Sequence, residues 1–443
     1  MTYSHPHGSI FYRKLHHARP MVTHGRGVYL YDETGKQYLD ASGGPLVVNV
    51  GHGRAEIVQA IAEQAQAVAY AHAIMFTSEA LETYASELCA VLPIPDARVF
   101  LLSSGSEVVE GALKLSRQIQ MARGEPSRHL IIARSMSYHG ATLGALAVSG
   151  RPGLRSAYLG MLRDMPHIQH PYPYRNQLSG SELAGRLEEA ILAHGASNVA
   201  AFIAEPISGA SLGAVSPPDD YWPAVREICD RYGVLLIADE ILCGMGRTGK
   251  WWGIQHWDVT PDILVSSKGI AGGYLPLGAI AVSCTHVDAI ASTLGDFNHG
   301  GTFSHHAVGA AAALATLRII HREQLVHRAA VMGKSLGQRL IEQLGDHLLV
   351  GDIRGRGLFW ALEFVQDRES KEPFPNKLNL AWQIWKRAFE SGLILYYSQG
   401  CANGVDGDVI MVGPPLIIDE EQLEHLVCLL AHAVEDTYRN LQS

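Results

Sequence analysis

Between about residues 98 and 285 the sequence alternates short, unbroken apolar runs with helical stretches, and this alternation constrains the fold more than any other feature. The runs lie at 99–102, 130–133, 199–204, 234–238, 263–265 and 277–282. A strand with one wet face alternates polar and apolar residues, so an unbroken run is buried on both faces. The pattern predicts a doubly wound α/β domain, a mostly parallel sheet covered by helices on both sides. With 443 residues the chain exceeds one ordinary core and is expected to divide into two or three domains.

The flanks read differently. GRGVYLYDETGKQYLDA at 25–41 predicts two short strands around a turn at Glu33-Thr34-Gly35-Lys36, because aromatic and β-branched residues flank turn formers. Apolar residues at helical spacing predict helices over 56–69 and 79–91, and again over 310–320, 329–344 and 420–441. GLFWALEFV at 357–365 and DVIMV at 408–412 read as strands. The expected division is a large domain over 71–320 and a smaller α+β domain over 321–443, with the N-terminal segment 1–70 packed beside the latter.

Composition removes several classes of function. A net charge of -9 with no dense basic run argues against nucleic acid as a partner. No apolar stretch approaches the roughly 20 residues that cross a bilayer, so no membrane span is expected. The N-terminus, from Met1 through the histidines at 5, 7, 16 and 17, lacks the apolar core of a signal peptide, and a cytoplasmic protein is expected. Cys89, Cys229, Cys243, Cys284, Cys401 and Cys428 are scattered and read as buried free thiols. Despite 22 histidines there is no HExxH, and His305 and His306 are adjacent, which on a helix or strand points them apart; no metal site is expected.

In a parallel sheet, ligands sit beyond the carboxyl ends of the strands. Four runs end in polar residues there: Ser103-Ser104-Gly105-Ser106, Glu205-Pro206, Asp239-Glu240 and Ser266-Ser267-Lys268. A Ser-Gly-Ser turn opening a helix can cradle a phosphate, although alone it reads equally as a helix cap. Asp239 and Lys268 alone would read as a structural ion pair. Together the three groups match what pyridoxal phosphate requires: a lysine amine to form a Schiff base, a carboxylate beside the ring nitrogen and an anchor for the phosphate.

Over nearly its whole length the sequence resembles the class III aminotransferases, subgroup-II members of the fold-type-I pyridoxal enzymes. The resemblance runs through GGPLVVNVGHG at 43–53, SSGSEVVEGALKLSR at 103–117, SYHGATLGALAVSG at 137–150, LLIADEILCGMGRTGK at 235–250, DILVSSKGIAGGYLPLGA at 262–279, HGGTFSHHAVGAAA at 299–312 and the late GPPLIIDEEQL. It implies that Lys268 and Asp239 are catalytic and that Tyr138 and Ile241 press the two faces of the pyridine ring. It further implies that Ser104, Gly105 and Ser106 hold the phosphate with Thr302 of a neighbouring subunit, and that Glu205 stands near the ring's phenolic oxygen. A homodimer follows, with a tetramer open, and a ping-pong exchange between an amine donor and a keto acid or aldehyde.

The sequence also departs from that family. Many relatives place a carboxylate-binding arginine shortly before the Pro-Pro-Leu element, and here no arginine lies between Arg387 and Arg439. Leu46 stands close to where several amine-accepting members carry tryptophan. The expected donors are therefore ω-amino acids or simple amines, with pyruvate-like acceptors. Rival readings are a decarboxylating, racemising or aminomutase reaction on the same scaffold, and a non-catalytic binding protein, against which the presence of both Lys268 and Asp239 argues. A dinucleotide-binding oxidoreductase is suggested by GMGRTG at 244–249, but no helix-forming sequence follows it. The same stretch fails as a P-loop at Trp251, and GASLG at 209–213 fails as a nucleophile elbow because Ser-Pro-Pro-Asp follows it.

Overall fold

The computed structural model describes residues 8–442, so Met1, His5, His7 and Ser443 lie outside the described residues. Near the N-terminus β1 (Val22–Arg26), β2 (Tyr29–Asp32) and β3 (Gln37–Asp40) form an antiparallel meander. The expected turn sits between β2 and β3, where Asp32 accepts the N–H groups of Thr34 and Lys36 at 2.9 and 3.1 Å and Gly35 takes φ +84°. Helices follow over Ala55–Ala67 and Glu79–Cys89.

The apolar runs become the strands of a seven-stranded sheet: β4 (Ala97–Leu102), β5 (Leu130–Arg134), β6 (His167–Ile168), β7 (Val199–Ala204), β8 (Leu235–Asp239), β9 (Ile263–Ser266) and β10 (Gly278–Ser283). The order is β4-β10-β9-β8-β7-β5-β6. Only β10 runs antiparallel to its neighbours, so β4, β5, β7, β8 and β9 all end on one edge. Leu235 and Ile237 pack into the core on one side of the sheet and Leu236 into the core on the other, which is why the run has no polar gap. The helix Gly105–Ala122 covers one face through Val108, Ala112, Leu115 and Ile119, spaced by three or four residues.

Beyond residue 307 come two helices, Ala307–Arg322 and Leu325–Leu344, and then β11 (Val350–Arg356), β12 (Phe359–Asp367), β13 (Glu372–Pro373), β14 (Leu393–Ile394), β15 (Tyr396–Gln399) and β16 (Asp408–Val412). Strands β11, β12, β16 and β15 form a second antiparallel sheet, with β13 paired to β12. Strand β14 pairs in parallel with β3 and so joins late residues to the N-terminal meander. The helix Glu420–Gln442 ends the described chain. All six cysteines are free, but the expectation of burial holds only for Cys229, Cys243 and Cys401; Cys428, on the outer face of the last helix, is exposed. Among the described residues no helix is long and apolar enough to cross a membrane.

Candidate active site

A cavity of about 210 Å³ opens at the carboxyl edge of the large sheet. Its wall includes Ser104, Gly105, Ser106, Tyr138, Glu205, Asp239, Ile241 and Lys268, residues that the sequence scatters over more than a third of the chain. The convergence follows from topology, since β4, β7, β8 and β9 deliver their last residues to the same edge.

The turn after β4 opens the helix Gly105–Ala122. Ser104 caps it, accepting from Glu107 N at 3.3 Å, so this hydroxyl has the capping role and still borders the cavity. The N–H groups of Gly105 and Ser106 belong to the first turn and have no intrahelical acceptor, which makes them donors for an anion. Ser106 Oγ accepts from Ala141 N at 3.0 Å. That approach requires glycine at 140, which has φ +145° and where a Cβ would lie 2.7 Å from Ser106 Oγ.

Asp239 ends β8 and is 3% exposed. One carboxylate oxygen lies 2.7 Å from His139 Nδ1, and the other accepts from Ile241 N at 3.1 Å. With the carboxylate ionised, His139 Nδ1 carries the proton and donates it to this bond. His139 was not singled out from the sequence; its signal was its place between Tyr138 and Gly140 in the aromatic-His-Gly element. Glu240 turns away, accepts from Gly253 N and Ile254 N at 2.8 and 2.7 Å, and is raised to about 7 by burial. Glu205 borders the cavity and accepts from Gly209 N at 3.0 Å; burial pushes its carboxyl up, against the pull of His139 and Arg134.

Lys268 follows β9 with φ +49°, a left-handed conformation that costs a non-glycine residue about 1 kcal/mol. The conformation is held from both sides, because Ser267 Oγ donates to Leu277 O at 2.7 Å and Asn49 Nδ2 donates to Gly269 O at 3.0 Å. No hydrogen bond or ion pair among the described residues engages the Lys268 amine. Burial lowers its pKa, against the opposite influence of Asp239 and Glu205. Thr302 stands apart from the cavity in the single chain: it is exposed, and its carbonyl accepts from Tyr70 Oη at 3.0 Å.

An unpaired amine, a carboxylate fixed on both oxygens and free helix N–H donors around one cavity fit pyridoxal phosphate, whose aldehyde, ring nitrogen and phosphate call for those three groups. A family model described as aminotransferase class-III matches residues 11–434. The putrescine–pyruvate aminotransferase of Pseudomonas aeruginosa is 35% identical over 424 residues, covering 94% of this chain and 91% of its own. A transaminase from the marine bacterium Virgibacillus has a TM-score of 0.93 to this chain at 34% identity, covering 98% of each. The omega transaminase of Pseudomonas jessenii, solved in complex with PMP, has a TM-score of 0.89 at 34% identity, covering 95% of this chain and 93% of its own. From β-strand order to cavity chemistry, the chain belongs to the class-III aminotransferases, pyridoxal-phosphate enzymes of fold type I.

Proposed function

We propose that this aminotransferase takes amino groups from ω-amino acids or simple primary amines and passes them to a keto acid of the pyruvate kind, with Lys268 as its proton-moving group. The observation that carries the reading is the unpaired Lys268 amine sharing one cavity with the Asp239 carboxylate and the helix N-terminus at Gly105. The likeness to a putrescine–pyruvate and a taurine–pyruvate aminotransferase supports the acceptor.

When bound, pyridoxal phosphate takes the electron pair of the substrate's broken C–H bond into its ring. Lys268 Nζ is the base at the substrate carbon that bears the amine; its lowered pKa leaves more of it as the free amine near neutrality. Asp239, 3% exposed, would hold a proton at the ring nitrogen through opposite charge screened little by solvent, and His139 keeps that carboxylate from turning. Gly105 N, Ser106 N and the Ser106 hydroxyl would donate to the phosphate. Tyr138 and Ile241 would flank the ring, and Glu205 would stand near its oxygen.

The functional unit in this reading is a homodimer in which Thr302 completes the neighbouring phosphate site. In support, Ile74, Met75 and Phe76 are 87%, 75% and 65% exposed. They adjoin Tyr70, which meets Phe303 edge-on at 6.2 Å beside Thr302. An apolar patch of this kind suits a second copy of the chain.

Lys268→Ala is expected to abolish transfer of an amino group to pyruvate, followed by alanine formation, and normal turnover by that variant would end the assignment. Strict dependence on a second carbonyl substrate, with ping-pong kinetics, separates transamination from racemisation or an aminomutase reaction, and the absence of CO2 release separates it from a decarboxylating one.

A further inference from the structure

Two arginines near the segment that bears Tyr138 have no carboxylate partner among the described residues: Gly150 N donates to Ser137 O at 3.1 Å and Gly150 O accepts from Met136 N at 3.0 Å, which brings Arg151 beside that segment, and Arg13 lines one hollow with Gln399, whose carbonyl holds Arg151. Arg151 is half-buried, and its side chain makes one hydrogen bond among the described residues, from Nη2 to the carbonyl of Gln399 at 2.9 Å. Arg13 is exposed and has no hydrogen bond or ion pair among the described residues. The charges of both arginines act on Tyr138, Arg13 acts on Arg151 as a like charge, and Tyr396 begins the short strand that Gln399 ends. Burial lowers the Arg151 pKa and Arg13 lowers it further. Two cations and two phenols with no anion present leave guanidinium N–H groups and hydroxyl donors ready for one.

The support of Arg151 is itself informative. Gln399 ends β15 and opens the loop that stands before Pro414-Pro415-Leu416, the segment that lacks an arginine of its own. That loop is seated on the turn bearing Arg151: a Cβ at Gly404, which has φ +92°, would lie 3.1 Å from Pro152 Cγ. The loop thus supplies no cation but fixes one from another part of the chain.

We propose that Arg151, assisted by Arg13 and the hydroxyls of Tyr138 and Tyr396, is a carboxylate-binding subsite that holds the far carboxylate of an ω-amino acid donor. This deepens the transaminase reading and rests on it. Neither arginine belongs to the wall that carries Lys268 and Asp239, and Tyr138 joins the two regions. Because Arg151 lies outside the wall that carries Lys268, a carboxylate held there and an amine presented to Lys268 belong to opposite ends of a donor, as in an ω-amino acid, and not to one carbon, as in an α-amino acid. The guanidinium presents two parallel N–H groups to such a carboxylate, which a lysine cannot reproduce.

The test uses holoenzyme of the wild type, Arg151→Gln and Arg151→Lys. Butyrate, a carboxylate without an amine, is titrated calorimetrically, and 4-aminobutyrate and butylamine are compared in the single-turnover amine half-reaction, read by the cofactor's absorbance. In Arg151→Gln, butyrate affinity and the ratio of kcat/KM for 4-aminobutyrate over butylamine are both expected to fall about tenfold to a hundredfold, the loss typical of a charged hydrogen-bond pair. Arg151→Lys should fall between, which separates lost recognition from a damaged fold. Unchanged butyrate affinity and an unchanged ratio overturn the subsite. If the wild type accepts no amino group from any amine, the transaminase reading fails, and the butyrate titration still decides the subsite.

Discussion

His139 Nδ1 and Asp239 Oδ2 meet at 2.7 Å where both residues are 3% exposed or less, so neither group can replace its partner with water. Without the imidazole, Asp239 keeps only the Ile241 N–H and its second oxygen is stranded. His139→Ala is expected to lower kcat by about tenfold to a hundredfold, while His139→Asn, whose amide can donate along the same line, recovers part of it. Cofactor retention, read by absorbance, should survive in both, because the phosphate donors are untouched; equal losses in the two variants would point to packing in place of hydrogen bonding. Lys268 and Asp239 were legible in the sequence because each directly follows or ends an apolar run, a position with chemical meaning in a parallel sheet. His139 was not, because its partner lies 100 residues away and only the loop after β5 brings the two together.

Asp408, the first residue of β16, ties together elements that the sequence shows less clearly. Its Oδ1 accepts from Ala381 N at 2.9 Å, in the first turn of the helix Leu380–Glu390, and from Gln399 Nε2 at 3.2 Å; its Oδ2 is buried without a partner. Burial raises the carboxyl to about 6. A carboxyl whose pKa is higher folded than unfolded stabilises the fold most below about pH 4, and that contribution is lost as the pH rises through about 6. The loss is about 3 kcal/mol. Asp408→Asn stays neutral throughout, so the melting midpoint of the holoenzyme should rise relative to wild type by about 2–4 °C at pH 8 and by well under half of that at pH 4.5. The same shift at both pH values would reject the charge explanation. The helix at 380–390 escaped the sequence reading, as did β11, whose VGDIRGR has no apolar run. Its Arg354 points into an ionic cluster with Glu363 and Asp352, and that tertiary pairing, at 2.8 and 2.7 Å, takes the place of the usual strand signal.

Across the whole molecule, the large sheet and the second antiparallel sheet meet around buried charge as well as apolar surface. Glu363 on β12 is fully buried yet bonded to Arg354 on β11 and to Tyr172 and Arg175, which follow β6 of the large sheet. The second core, like the first, is therefore closed by partners from distant sequence, and the division at about 70 and 320 that we propose is bridged by such contacts. At this scale Ile74→Asp combined with Phe303→Asp is expected to give monomers in sedimentation and to lose activity, since Thr302 could no longer reach a neighbour; a fully active monomer would contradict the shared site. The parallel pairing of β3 with β14 has a consequence for synthesis. During translation the seven strands of the large sheet emerge by residue 283, whereas the outer edge of β3 waits for residues 393 and 394. The nascent chain therefore carries a finished central body and an open strand edge together, a stage at which a chaperone would find something to cover and self-association its opening.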